Sequence, residues 1–515
     1  MPAVMLQSFL ELSYISEALQ VTIIAIFVAL IAAKYLSKDV LSRYPLINDK
    51  QPGEFFYTKR KLHFVTHAKE LIEEGFTKAN KAFRLLTDDG IQIVLSPEWA
   101  DAIRDNENLN FSRISEEDYH GHIPGFDPFK QGTLADRIFH RGISSHMTAA
   151  LERLSEPLSA EVDFSLKQYF TDSPEWHEIS LQSCVTDIVS QLSSRVFLGE
   201  EICRNPGWHR FTVDYTAHTI EAGQELRLWP KALRSYVHWF LPCCQKIRSE
   251  LADARKIIAP VLERRRREKA ATVAQGKPPV EYLDALEWME VSAKGQPYDP
   301  AVIQVMLAFS ANMTGSDALC QVIFDLSQRE ELVKEMRGEI ISVLGKNGWN
   351  KSTLYKLKLM DSVLKESQRM KPAAVGLMRR YAMKETEFPD GTPMPQGTKI
   401  MVSVHDSWDP SVFSNAQEFD GYRFLKMREE GDKENTAQFV STGKSILGFG
   451  YGKQACPGRF FAANELKIAL CHILLKYDLK PAQGPPPKPL TYGLYYIADP
   501  VAKITVRRRQ EEIDF

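Results

Sequence analysis

The sequence has no paired-cysteine spacing. Its seven cysteines, at 184, 203, 243, 244, 320, 456 and 471, are odd in number and scattered. That excludes a disulfide framework and a CxxC-type zinc site, and it suits a reducing, cytosol-facing compartment. Charge of one sign is also missing. A formal net charge of −2 over 515 residues leaves no broad electrostatic surface for nucleic acid. There is no internal repeat and no long Gly/Ser or Pro linker, so nothing divides the chain into several units. No flavin or dinucleotide fingerprint is present, and no basic segment precedes the first apolar run, which argues against a cleaved signal peptide.

What is present begins with that apolar run. From Ala18 to Ala33 no residue is charged, and the pattern continues through Tyr35 and Leu36 past Lys34. A membrane span needs roughly 17–25 residues, so this one suffices if Lys34 extends its ammonium to the interface. Glu11 and Glu17 precede it and Lys34, Lys38 and Arg43 follow, which puts the rest of the chain on the cytoplasmic side. The expected organisation is a short lumenal segment at 1–17, a single transmembrane anchor at 18–36, a linker at 37–55 and a catalytic domain at 56–515. A buried core helix is the plainer reading of 18–36. Within the body, residues 78–97 read as two strands around an Asp88-Asp89-Gly90 turn. Helical patterns dominate from about 130 to 345, and 270–280 reads as a flexible loop. The basic run Arg264 to Arg267 reads as a solvated helix face, with a docking patch for an acidic redox partner as the alternative. The glycosylation-type matches at Asn110, Asn312 and Asn350 are chance matches if the body is cytosolic.

The stretch Phe449-Gly450-Tyr451-Gly452-Lys453-Gln454-Ala455-Cys456-Pro457-Gly458-Arg459 crowds three glycines and a proline around one cysteine, just before a helical pattern running from Phe460 to Tyr477. Glycine lets another group approach the backbone closely. A free cysteine is usually a small buried hydrophobe. Here Cys456 precedes a helix N-terminus, where free N–H groups favour a thiolate, and a thiolate there is a ligand for a soft metal centre such as haem iron. Glu366 and Arg369 sit i, i+3 on another helix and can pair. The helix from about Pro300 to Leu326 is interrupted by small and polar residues at Ser310-Ala311-Asn312-Met313-Thr314-Gly315-Ser316-Asp317.

Taken together these stretches resemble the cytochrome P450 family. The loop resembles its haem signature Phe-x-x-Gly-x-Arg-x-Cys-x-Gly, with Gln454 where the family has Arg or His. The resemblance implies that Cys456 is the axial ligand of a haem b iron, with Phe449, Gly450 and Gly458 shaping its loop. Glu366 and Arg369 match the Glu-x-x-Arg pair, locked by a second arginine, Arg423, into a scaffold under the loop. Thr314 matches the threonine that helps deliver protons during oxygen activation. The usual acid before it is replaced by Met313, Gly315 follows it, and Asp317 is the candidate substitute. Arg380, ahead of Arg379, is expected to meet a haem propionate. The implied fold is mainly α with a small β region.

The resemblance covers essentially the whole chain and is most similar to fungal microsomal members of the ent-kaurene oxidase and indole-diterpene type. It implies a monooxygenase of the endoplasmic reticulum membrane, facing the cytosol. Electrons would come from NADPH through cytochrome P450 reductase, with cytochrome b5 as a second possible donor. The substrate would be a lipophilic terpenoid-type metabolite held near Phe309, Val375, Leu377 and Leu494. A reductase-independent isomerase or dehydratase, and a non-enzymatic haem ligand carrier, are the rival readings.

Overall fold

The computed structural model describes residues 40–134 and 137–513. The anchor expected at 18–36 lies outside the described residues, as does the segment at 1–17. Among the described residues no helix is long and apolar enough to cross a membrane.

Among the described residues nine long helices form the body: α1 Thr58–Lys78, α2 Thr148–Tyr169, α3 Leu181–Leu198, α4 Pro206–Leu228, α5 Pro242–Ala274, α6 Pro300–Ser327, α7 Glu330–Asn347, α8 Lys358–Met370 and α9 Arg459–Lys476. Local chemistry sets several of their starts. Asp299 accepts from the amides of Ala301 and Val302 with Pro300 at the first helical position, and Asn205 caps α4 in the same way ahead of Pro206. Most of α6 is buried along its length, as expected of a helix hydrophobic on nearly every side. It runs through the largest core cluster, packed by α3, α4 and α5 and met by α9.

A six-stranded sheet stands beside this helical body. Its strands are β1 Leu46–Ile47, β2 Ala82–Thr87, β3 Gly90–Leu95, β4 Leu109–Asn110, β5 Gly376–Ala382 and β6 Lys399–Ser403, in the order β1-β2-β3-β6-β5-β4. The Asp88-Asp89-Gly90 turn does join two strands, β2 and β3. After α9 the chain passes straight into a strand at Tyr477–Pro481, which pairs antiparallel with Lys503–Arg508 and closes the C-terminal end.

Two sequence readings are corrected. The stretch expected to be a flexible loop at 270–280 is helical as far as Ala274, because its Ala-rich start continues α5. The basic run is not a plain solvated face: Arg265 is buried and forked onto Asp284 at 2.9 and 2.8 Å, and Arg266 is forked onto Glu290 at 2.9 Å. Asn312 is 3% exposed within α6, so it is no glycosylation acceptor.

Candidate functional site

The scaffold under the cysteine loop is a buried charge cluster. Glu366, on α8, accepts from Arg369 Nε at 2.8 Å and Nη2 at 2.7 Å, and from Arg423 Nε at 3.0 and 3.1 Å. It also accepts from the Asp420 amide at 3.1 Å. Arg369 spends its remaining donors on the carbonyls of Ser407, Ala416 and Glu418, and Arg423 spends its own on Ser414, Asn415 and Glu418. Buried ions are costly unless every donor and acceptor is satisfied, and here they are. The three residues named from sequence are brought together as expected. Sequence reading missed a second tie. Lys365, next to Glu366, donates to the carbonyls of Thr436, Gln438 and Ser441 at 3.0, 2.7 and 3.2 Å, and burial pushes its pKa down to about 8. Together they fix the polar segment that leads into the cysteine loop.

The loop itself is tied down at both ends. The Cys456 amide donates to the Phe449 carbonyl at 2.8 Å, and Arg459 Nη1 donates to the Cys456 carbonyl at 2.9 Å. Gly450 and Gly452 hold φ of 72° and 78°, a conformation that costs a side-chain-bearing residue. A Cβ on Gly452 would lie 2.8 Å from Arg104, so only glycine allows the loop to close on the segment 101–111. Gln454 makes the same junction. Its Nε2 donates to the Leu109 carbonyl at 2.7 Å and its Oε1 accepts from the Phe111 amide at 2.7 Å. The family's usual arginine has no acceptor oxygen for such an amide. Gln454 therefore serves as a neutral backbone clip, which explains the departure from the signature.

Cys456 is exposed on one side. The helix N-terminus was expected to favour its thiolate. The amides of Gly458 and Arg459 and the Arg459 charge do pull that way, but crowding by protein outweighs them and leaves the free thiol raised above its usual value. A bound cation is what would make it a thiolate.

Arg380 is the other half of the cofactor test. It is 1% exposed and donates Nη1 only to the neighbouring Arg379 carbonyl at 2.9 Å, leaving Nε and Nη2 without partners. Burial pushes its pKa down to about 10. Only the more distant Asp105 charge offsets this, and a buried guanidinium with open donors and no hydrogen-bonded carboxylate fits a haem propionate. Arg379, the second choice from sequence, is already paired with Asp118 at 2.5 Å. The backbone separates the two arginines. A register shift lies between Leu377 and Arg380, and Met378 holds φ of 47°. A bulge of this kind turns side chains that would otherwise alternate regularly.

On α6, Ser310 and Thr314 are exposed while Met306 and Met313 are half-buried. Spaced at 306, 310, 313 and 314, they form one stripe of an otherwise buried helix that the surrounding elements leave uncovered. The thiol, the orphaned arginine and this stripe together fit a haem held between α6 and the cysteine loop. Thr314 Oγ1 donates back to the Ser310 carbonyl at 2.9 Å, so its lone pairs remain available. Gly315 faces the other way, where a Cβ would lie 3.3 Å from Val189 of α3. Asp317 lies one turn on, its Oδ1 accepting from the Ala498 amide at 2.7 Å, and burial pushes its pKa up to about 6. Glu465 of α9, not singled out from sequence, is buried beside Gly315. It is bonded only by Ser193 Oγ at 2.7 Å, and desolvation raises it to about 8.

The four pocket candidates do not form one patch. Phe309 belongs to the helical core, Leu377 packs against a sheet-side cluster, and Val375 and Leu494 share a third cluster. Val375 donates its amide to the Leu494 carbonyl at 2.9 Å and lines a cleft of about 220 Å³ with Phe76, His405 and Trp408. Phe309 instead contacts the rings of Tyr119 and Phe129.

Comparison with known proteins places this arrangement. A profile of the Cytochrome P450 family matches residues 139–502. The chain is 44% identical over 480 residues to cytochrome P450 monooxygenase ptmU of Penicillium ochrochloron, covering 93% of this chain and 94% of that one. It is 46% identical to cytochrome P450 monooxygenase adrA of Penicillium rubens, over 92% and 93% of the two chains. It is 42% identical to cytochrome P450 monooxygenase pyr3 of Aspergillus fumigatus, over 95% and 94%. A solved structure, a retinoic-acid-bound cyanobacterial CYP120A1, superposes with a TM-score of 0.63 at 17% identity, covering 87% of this chain and 96% of that one, which is a likeness of fold.

Proposed function

The chain belongs to the cytochrome P450 family and is a cytochrome P450 monooxygenase, and from that premise we propose that it is membrane-anchored, takes electrons from an NADPH-dependent reductase and oxidises a lipophilic, terpenoid-type secondary metabolite. Cys456 would ligate haem b, and the haem would supply the redox chemistry. The protein's part is to hold, orient and exclude water. Arg380 would hold a haem carboxylate with its two open donors. The Glu366–Arg369–Arg423 cluster and Lys365 keep the cysteine loop in place. Thr314 presents a hydroxyl oxygen at the uncovered stripe of α6, and Phe309 supplies an apolar wall.

The observation that carries the reading is the coincidence of an open cysteine sulfur in a stitched loop with a buried arginine that has two unpartnered nitrogens. Two further features support membrane attachment. The apolar run 18–36 precedes the body. Near its start the body exposes Phe55 and Phe56 at 89% and 80%, together with Trp229, Leu233, Tyr236 and Phe240. Lys61 Nζ joins these two segments through the Arg227 carbonyl at 3.0 Å. Bulky aromatics exposed together suit a membrane interface better than bulk water. The endoplasmic reticulum, with the catalytic body facing the cytosol, is the location this orientation implies.

The reduced, carbon-monoxide-bound absorption spectrum of membranes carrying the chain tests the site. A thiolate-type red-shifted Soret band is expected, and Cys456→Ala should abolish it. A wild-type spectrum without that band would refute Cys456 ligation. Product formation that needs NADPH and reductase separates the monooxygenase from an isomerase or a passive haem carrier.

A further inference from the structure

Beside the central helix lies a hydrogen-bonding pair that the reaction itself does not need. Tyr119 and Tyr495 join hydroxyl to hydroxyl. The Tyr119 ring stacks on Phe129 at 4.3 Å and stands edge-on to Phe309 of α6 at 5.5 Å, while Phe129 meets Phe309 at 4.9 Å. Tyr495 forms a backbone bridge with Ala374, two residues ahead of the strand that carries Arg380. The pair therefore links the central helix to the segment just ahead of that strand, and part of each tyrosine remains uncovered. Burial raises both phenols above their ordinary pKa, so both keep their protons.

Counting donors then matters. A phenol has one O–H and can also accept. Two hydroxyls that bond to each other use one of their two protons, and among the described residues neither has a further acceptor. Among packed aromatic rings an unused donor is a recognition element, because a ligand lacking the matching acceptor leaves it unpaired. The surroundings favour an electron-rich partner. Behind the tyrosines, Arg379 pairs with Asp118 at 2.5 Å and Lys399 pairs with Asp118 and Asp89 at 2.8 and 2.6 Å. Arg234 pairs with Asp89 at 2.8 Å and Arg227 with Asp88 at 2.6 Å. Four cations thus meet three carboxylates in a largely buried cluster. Arg227 and Arg379 both act electrostatically on the two phenols.

We propose that Tyr119 and Tyr495 form a subsite for an acceptor oxygen on the substrate, so that this enzyme takes a mostly hydrocarbon skeleton already carrying a hydroxyl or carboxylate oxygen. The inference rests on the monooxygenase reading and refines its substrate class. It also assigns the enzyme a place after the step that puts that oxygen on the skeleton. The unspent O–H donates to the substrate oxygen, and the apolar skeleton lies along Phe129 and Phe309.

The test is equilibrium dialysis of the full chain in detergent with three tricyclic diterpenes: the hydrocarbon abietadiene, the alcohol abietinol and abietic acid. Tyr119→Phe and Tyr495→Phe keep the rings and remove the hydroxyls. Each should weaken binding of the alcohol and the acid about three- to tenfold, the value of one hydrogen bond, and leave abietadiene within about twofold. The double variant should do little more than either single one, since the pair acts as a unit. A loss confined to the acid assigns the subsite to an anion supported by Arg379, and a loss for both assigns it to a neutral acceptor. Equal losses for all three probes would reduce the pair to a structural tie and overturn the proposal, as would unchanged binding or no binding of the oxygenated probes. The carbon-monoxide spectrum of the same preparations tests the haem-thiolate reading separately, because dialysis reads binding without it.

Discussion

Replacing Arg380 with methionine should move stability and cofactor retention in opposite directions. The native guanidinium is buried, keeps one hydrogen bond to the Arg379 carbonyl and has two unpartnered nitrogens. Burial lowers its pKa from 12.5 to about 10, which corresponds to a cost of about 3 kcal/mol for carrying the charge in the haem-free fold. The sign is clear. The folded state binds this proton less tightly than the unfolded state does, so the cost is fully present below pH 10 and is relieved only above it. Methionine removes that cost and forfeits one hydrogen bond of about 1 kcal/mol, leaving a net gain of about 2 kcal/mol for haem-free protein. An unfolding entropy of about 2.1 cal/mol/K per residue over roughly 470 residues comes to about 1 kcal/mol/K. The melting midpoint of haem-free protein at pH 7.5 should therefore rise by about 2 °C. Haem content, read as pyridine haemochrome after dialysis, should fall, because a propionate loses its bidentate partner. A lower haem-free midpoint, or unchanged haem retention, would refute the reading of Arg380 as a cation awaiting an anion.

Glu366→Ala leaves two buried guanidinium groups without their carboxylate and should cost about 3–5 kcal/mol; the melting midpoint of the purified protein checks this, and a shift under 1 °C would contradict the scaffold role. Asp317 titrates near 6 in the fold against 3.8 when unperturbed, so its contribution is favourable at low pH and is lost as pH rises through about 6. Asp317→Asn keeps an oxygen for the Ala498 amide and should raise stability at pH 7.5 by up to about 3 kcal/mol, flattening the melting profile between pH 4 and 6. Thr314→Ala should leave haem content and the carbon-monoxide spectrum intact while diverting NADPH into hydrogen peroxide. Unchanged coupling would mean that protons arrive by another route.

How much of the site was legible in sequence depended on whether a role is carried by local spacing. The cysteine loop, the i, i+3 pair Glu366–Arg369 and the strand bearing Arg380 are short patterns with fixed chemistry, and each lies where the sequence put it. The choice of Arg380 over Arg379 followed from offset alone. The structure supplies the reason: the bulge at Met378 leaves Arg379 to Asp118 and Arg380 without an anion. The pocket residues were the weak point. Val375, Leu377, Leu494 and Phe309 are apolar residues near recognisable motifs, and such residues fill any core, so nothing local says which of them share a wall.

Sequence by itself determined the class of chemistry. A cysteine among glycines before a helix, a glutamate–arginine pair upstream of it and a threonine in a polar break of an apolar helix are each common alone, and it is their order along one chain that resembles the cytochrome P450 family. Composition and cysteine spacing excluded a disulfide framework, a CxxC-type zinc site and a broad nucleic-acid surface. Only the tertiary structure decided the long-range partners. Gln454 is a clip to the backbone of Leu109 and Phe111, some 340 positions away, and Tyr119 meets Tyr495 across 376. The Cys456 thiol is raised rather than lowered because desolvation depends on what the whole fold packs around it. Hydrogen bonds and burial act through space, while a sequence pattern fixes only what lies within a turn or two along the chain.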